Sequence, residues 1–252
     1  NSLENSAKLG KSEWSILESD ESDGSFIKVP STYAVITNID REHMDYYKSL
    51  SDLKRHFIKF MLKVPSFGKT FICIDDKNTR DICKSSKIKN ILTYGYSNQS
   101  NFKIKNCSFQ KNKSFFDVEM RLPNKNKIVL KKFELPLIGS HNVKNATAAI
   151  AVSYFIGISP IILKNSLKKF KGVERRFNKI FTYNGADIYD DYAHHPTEIR
   201  EVLNGVSNSY KEKKILCIFQ PHRVSRINDL KDEFCYSFKK ASSVILCPIY
   251  KA

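Results

Sequence analysis

The sequence has no run of apolar residues approaching the ~20 that a membrane-spanning helix needs. It also shows no secretory leader. Its six cysteines, Cys73, Cys83, Cys107, Cys217, Cys235 and Cys247, form no Cys-x-x-Cys pair. That spacing argues against a zinc site. Most of the thiols fall in apolar runs, so they read as reduced core cysteines of a cytoplasmic protein rather than a disulfide framework. RNP, zinc-finger and basic-helix patterns are all missing. So is the Gly-x-x-x-x-Gly-Lys-Ser/Thr loop that cradles nucleotide phosphates.

What remains is a chain of 252 residues with 41% hydrophobic residues, enough for one large domain or two smaller ones. The formal net charge is +16. The lysines are dispersed and no nucleic-acid module accompanies them, so they read as solvated faces. No nucleic-acid or membrane partner is expected, and the positive field suits small anionic substrates.

Strand-like and helix-like stretches alternate, as in βαβ units. Residues 14–18 read as a buried strand, and residues 32–40, 69–75 and 90–96 as further strands. Between them, Leu50, Leu53, Phe57, Phe60 and Met61 recur at helical spacing. Residues 102–137 change texture to short β-like runs with Asn/Lys turns. A small-residue helix follows Gly139, and another spans residues 159–170. A boundary after Gly172 divides the chain into residues 1–172 and 173–252. In the second part, strands lead to a helix over residues 197–210. A fully buried strand (215–219), a helix (229–240) and a strand (244–246) follow.

Polar clusters stand where strands end, and in open α/β sheets that is where ligands bind. Glu18, Asp20, Glu21 and Asp23 crowd together, which is costly unless a cation neutralises them, and carboxylate oxygens suit Mg²⁺. The other reading is a solvated acidic loop. His43 follows the next strand as a possible metal ligand or a surface residue. His141, Asn142 and Asn145 bring imidazole and amide groups to a helix start, able to hydrogen-bond a purine edge. Arg175-Arg176 is a hinge pair or a guanidinium fork for phosphate. Asp190-Asp191-Tyr192-Ala193-His194-His195-Pro196-Thr197-Glu198 opens a helix, with Glu198 suited to the positive end of the helix dipole. Gln220-Pro221-His222-Arg223 and then Arg226 follow the later strand.

In this order and spacing, Asp-Glu-Ser-Asp-Gly-Ser-Phe, Thr-Asn-Ile-Asp-Arg-Glu-His-Met-Asp, Gly-Ser-His-Asn-Val-Lys-Asn-Ala, Arg-Arg-Phe, Asp-Asp-Tyr-Ala-His-His-Pro-Thr-Glu and Phe-Gln-Pro-His-Arg-Val-Ser-Arg resemble the Mur ligases of bacterial peptidoglycan synthesis. The resemblance runs the length of the chain. It implies an α/β fold: a central ATPase domain with a parallel sheet and a small β excursion, then a partial Rossmann-like C-terminal domain. It implies an ATP- and Mg²⁺-dependent ligase, and the motifs are closest to the member that joins L-alanine to UDP-N-acetylmuramate through an acyl phosphate. A family member that recycles muramyl tripeptide is the second reading, and a basic nucleotide-binding module without chemistry the third.

Carried over residue by residue, the resemblance assigns Glu21 and His43 to Mg²⁺. It assigns His141, Asn142 and Asn145 to adenine, and Arg176 and Asp191 to the rest of the nucleotide. Tyr192, His194, His222, Arg223 and Arg226 fall to the amino-acid side, with Arg176, His194 and Arg223 as the catalytic residues. Lys54 receives no role. In the family the phosphate loop and the UDP-sugar domain precede the stretch matched here. The 252 residues alone are therefore expected not to catalyse ligation, and amino-acid-dependent ADP release by them would refute that.

Overall fold

The computed structural model describes residues 7–110, 112–123 and 125–250. Its main sheet has six strands in sequence order. β1 (Tyr33–Ile36), β2 (Lys69–Cys73), β3 (Ile91–Gly95) and β4 (Phe102–Gln110) pair in parallel. β5 (Lys113–Met120) and β6 (Ile128–Leu135) extend the sheet antiparallel and form the expected β excursion. Glu119 is buried in that excursion between Lys127, Arg121 and Lys105, and the Lys127 bond leads in holding its carboxyl down to about 2.

Helices cover both faces. α1 (Leu50–Leu62) and α2 (Lys77–Ser85) bury Leu53, Phe60, Met61 and Ile82 against Ala34, Ile36, Ile72 and Ile74. On the other face, α3 (Ser140–Phe155) and α4 (Pro160–Lys168) set Val143, Ala146, Ile150 and Leu163 against Phe71, Cys73, Leu92 and Tyr94. β2 is thus covered on both sides, which is why it reads as an unbroken Phe-Ile-Cys-Ile run. Ser49, Asp76 and Ser159 cap α1, α2 and α4 by accepting a backbone N–H of the first turn.

The second part begins with an antiparallel hairpin, β7 (Asn178–Tyr183) and β8 (Ala186–Asp190). α5 (Pro196–Ser209), β9 (Leu216–Phe219), α6 (Val224–Asp229), α7 (Lys231–Ser237) and β10 (Ser243–Leu246) follow. β9 and β10 pair in parallel, and Phe219 packs with Ile199, Leu203, Leu230 and Phe234.

Several expectations are corrected here. Residues 14–18 are not a buried strand: no ladder partner engages them among the described residues, Trp14 stacks on Tyr33, and Ile16 and Leu17 are exposed. β9 is not fully buried: Phe219 packs into the core, while Leu216 and Ile218 on the other face of the strand do not. Leu216, Ile218, Val244, Ile245 and Leu246 are exposed. The helix expected over 229–240 is the shorter α7, and Leu230 (φ −123°, ψ 26°) separates it from α6, a helix the sequence pattern did not indicate. β8 does not share a sheet with β9, so the two clusters meet by packing of loops, not along one sheet edge. No helix among the described residues is long and apolar enough to cross a membrane.

Candidate active site

The acidic loop sorts its own carboxylates. Asp20 accepts the Ser22 N–H (2.7 Å) and Asp23 the Ser25 N–H (2.8 Å), and these bonds with Ser22 and Ser25 hold both acids below the usual carboxylate range. Glu21 is left turned toward His43, with Oε1 3.7 Å from Nε2. The Tyr47 hydroxyl donates to the Glu21 carbonyl and fixes the loop from below. Burial, aided by Glu21, pushes the Tyr47 phenol up to about 12, so it stays a donor.

His43 stands on the loop after β1 with φ 57°, a left-handed conformation uncommon outside glycine. α2 clamps that loop. Asn78 Nδ2 donates to the Ile39 carbonyl (2.7 Å), and Asp76 accepts the Ile39 N–H (3.4 Å) as well as capping its own helix. Among the described residues no group of three or more Asp, Glu, His or Cys side chains forms a ready metal cage. A carboxylate and an imidazole still fit Mg²⁺, which keeps water and phosphate oxygens in most of its positions.

At the start of α3, Asn142 Nδ2 donates to the Ile138 carbonyl (2.8 Å) and its side chain lines a pocket of about 190 Å³. Leu137, Gly172, Arg176, Phe177 and Tyr189 line the same pocket. The Phe177 and Tyr189 rings stack at 4.2 Å and 6°, giving it an aromatic wall. Asn145 is exposed one turn further along α3. His141 does not line the pocket: its Nδ1 is buried without a partner among the described residues, and burial holds the imidazole below its ordinary value. Room for that ring comes from Gly139 (φ 96°), where a Cβ would lie 2.7 Å from His141 Cε1. A larger groove of about 400 Å³ lies at the opposite end of β2 and β3, far from these clusters.

Arg176, Asp191 and the double histidine form a second knot. Asp191 accepts the N–H groups of Phe177 (2.8 Å) and Ala193 (2.7 Å), and burial raises its carboxyl. It therefore staples the Arg175–Phe177 turn to the start of α5. Arg175 and Phe177 both have left-handed φ, 55° and 53°. The Arg175 guanidinium lies over the Tyr192 ring at 4.6 Å. Glu198 accepts the N–H groups of His194 (2.9 Å) and His195 (3.2 Å) and lies 3.4 Å from Arg176 Nη1. Burial works against its charge, but those bonds and the charges of His194 and Arg176 prevail and lower its pKa. His195 is buried and accepts the Thr197 N–H at Nδ1 (3.3 Å), while its Nε2 has no partner among the described residues.

The His222 cluster joins this knot: the His194 and His222 rings lie 6.1 Å apart, and His222 stacks on Tyr250 at 5.5 Å. Desolvation, then Arg226, holds the His222 imidazole low. Arg223 (φ 63°) begins α6 with its side chain exposed and no carboxylate paired to it among the described residues. Arg226 turns the other way, onto Glu42 of the β1 loop. Ser140 donates to Glu201 (3.1 Å), so with the Arg226–Glu42 pair two polar links join the two parts of the chain among the described residues, and Asp40 stands 3.7 Å from His195 Nδ1. At Gly205 a Cβ would come 3.0 Å from the Gly139 Cα, which marks how closely α5 approaches.

Residues 2–153 match the Mur ligase middle domain, and residues 175–250 match the Mur ligase glutamate ligase domain. The chain belongs to the Mur ligase family. It is 63% identical over its whole length to the UDP-N-acetylmuramate–L-alanine ligase of Pelagibacter ubique, covering 54% of that protein. It is 40% identical to the corresponding ligase of Bartonella henselae, covering 53% of it. The crystal structure of the UDP-N-acetylmuramate–alanine ligase of Thermotoga maritima superposes with a TM-score of 0.70 at 27% identity, over 92% of this chain and 49% of that one. The chain thus spans about half the length of the curated relatives it matches. The α/β fold with a mainly parallel sheet is that of the Mur ligases.

The structure also brings forward residues that the sequence motifs did not single out: Asp40, Glu42, Asp76, Asn78, Phe177, Tyr189 and Glu201. Glu42 lies inside the His43 motif, and Asp76 carries an N-cap signature. Asp40 lies in the His43 motif too and Phe177 closes the Arg-Arg-Phe motif, whereas Asn78, Tyr189 and Glu201 gave no local signal.

Proposed function

We propose that the protein this chain represents is an ATP-dependent ligase joining L-alanine to the lactyl carboxylate of UDP-N-acetylmuramate, with release of ADP and phosphate. The observation that carries the reading is the division of labour among three arginines at one junction. Arg176 is held by Glu198 beside a pocket with an aromatic wall, Arg226 is tied to Glu42, and Arg223, next in the chain to His222, has no paired carboxylate among the described residues. The identity to named alanine ligases supports the same choice.

In this reading the adenine lies in the Asn142–Phe177–Tyr189 pocket with Arg176 directed to the phosphates. Asp191 acts by fixing the turn that carries Arg176. His141 supports α3 rather than touching the base, and Asn145 is the amide free to reach it. Glu21 and His43 would hold Mg²⁺, which neutralises phosphate charge when bound. Arg223 pairs with the carboxylate of alanine, and Tyr192, His194 and His222 line its amine. A carboxylate is a poor electrophile, and phosphorylation by ATP makes it an acyl phosphate that the amine attacks. Positioning and charge stabilisation supply most of the rate.

The test is phosphate release by the full-length protein from the same coding DNA, with ATP, Mg²⁺ and UDP-N-acetylmuramate. Release that requires L-alanine supports the reading. Release with muramyl tripeptide but not alanine moves the protein to the recycling ligases. Release with neither overturns the ligase assignment.

A further inference from the structure

His194 has a defined tautomer. Its Nδ1 lies 2.8 Å from the Tyr192 carbonyl oxygen, and a carbonyl can only accept. In the neutral ring Nδ1 therefore carries the hydrogen, and the lone pair is on Nε2. No protein group bonds to Nε2 among the described residues. Glu198 Oε2 stands 3.6 Å from the same Nδ1. The same carboxylate accepts the backbone N–H groups of His194 and His195, and its other oxygen faces Arg176. One acid thus holds the backbone, the protonated side and the charge environment of His194. Its own position is fixed by being N3 of α5.

We propose that Glu198 is a positioning residue for the amide-forming step, and that it acts through His194 as the proton acceptor. The inference rests on the ligase reading above. In the step, the neutral amine nitrogen of alanine forms the C–N bond to the acyl carbon. The C–O bond to phosphate breaks and its electron pair leaves with the phosphate. The extra proton on the attacking nitrogen passes to His194 Nε2. The resulting imidazolium donates from Nδ1 to the Tyr192 carbonyl, and its charge is balanced by Glu198. Glu198 therefore acts after phosphoryl transfer. Its 3.4 Å contact with Arg176 is to a half-exposed guanidinium, where water screens the loss of the carboxylate charge.

Two measurements test this. The first reads the ring directly in the full-length protein. Long-range ¹H–¹⁵N spectra of the imidazole rings should show His194 as the Nδ1–H tautomer, and an Nε2–H tautomer would overturn the proposal without reference to activity. The second uses full-length enzyme. Glu198→Gln keeps an oxygen for the two backbone N–H groups but removes the charge. It should slow amide formation about tenfold, a part of the ~10²–10⁴ that a general base contributes. Acyl phosphate trapped by borohydride reduction should form at the wild-type rate, with the KM for ATP within about twofold.

In a His194→Gln background the Glu198→Gln change should add almost nothing, because the two groups act as a unit. Multiplying losses, or acyl phosphate formation slowed in parallel, would overturn the role. A wild-type enzyme that forms no amide from alanine would overturn the ligase reading instead, and the tautomer spectrum would still decide the His194 geometry.

Discussion

Arg226 of α6 donates to the carboxylate of Glu42, 184 residues earlier on the loop after β1. The side chains are 9% and 20% exposed, so both charges are largely withdrawn from water. Removing one partner would leave the other buried and uncompensated. Arg226→Ala should therefore destabilise the chain by about 3 kcal/mol. It should also increase proteolytic cleavage between α4 and β7, where the two parts are joined. Denaturant unfolding and limited trypsin digestion check both. If stability and cleavage stay at wild-type values, the ion pair does not hold the parts together.

Arg223 should behave differently. Its side chain is exposed and unpaired among the described residues, so its loss should leave the fold intact. In the full-length enzyme, Arg223→Ala should raise the KM for alanine by tenfold or more, consistent with the roughly 1.5–3 kcal/mol of a hydrogen bond to a charged group. The KM for ATP should change far less. Equal effects on both would remove Arg223 from the amino-acid site.

Burial of His141 carries a pH signature. Its imidazole is held below the ordinary value of ~6.5. As pH falls below that value the unfolded chain takes up the proton and the folded chain does not, so stability declines. Above it the contribution is complete. Asp191, raised by burial, has the opposite sign, its folded form binding a proton more readily than the unfolded one, but in the lower carboxylate range. Between pH 7 and 5.5 the urea midpoint should therefore fall more for the wild type than for His141→Asn. Parallel curves would show that His141 can take up its proton in the folded chain.

The sequence was most informative where one helix face or one motif carries the whole signal. The spacing of Leu50, Leu53, Phe57 and Phe60 located α1, and the alanines after Asn145 located α3. The loop motifs also came together as a junction: His194 with His222, and Glu21 with His43. What could not be read was decided by partners remote in sequence. Residues 14–18 have strand composition but pair with no strand among the described residues, and β9 is apolar on a face that no described residue covers. The direction in which each arginine turns depends on acids elsewhere. Neither Arg226 nor Arg223 has a local feature that tells which one finds Glu42. Glu198 was legible as a helix cap, but its contacts to two histidines and an arginine depend on the folded approach of the Arg176 turn.

The open face of the β9–β10 pair has a colloidal consequence. Leu216, Ile218 and Ile245 present an apolar strip to water on a molecule of net charge +16. At low ionic strength mutual repulsion keeps such molecules apart. At 1 M salt the screening length shrinks to about 3 Å and the strip can meet its like. The 252-residue chain should therefore elute as a monomer in dilute buffer and self-associate as salt is added. Light scattering across a salt series will follow this, and Ile218→Lys should abolish it.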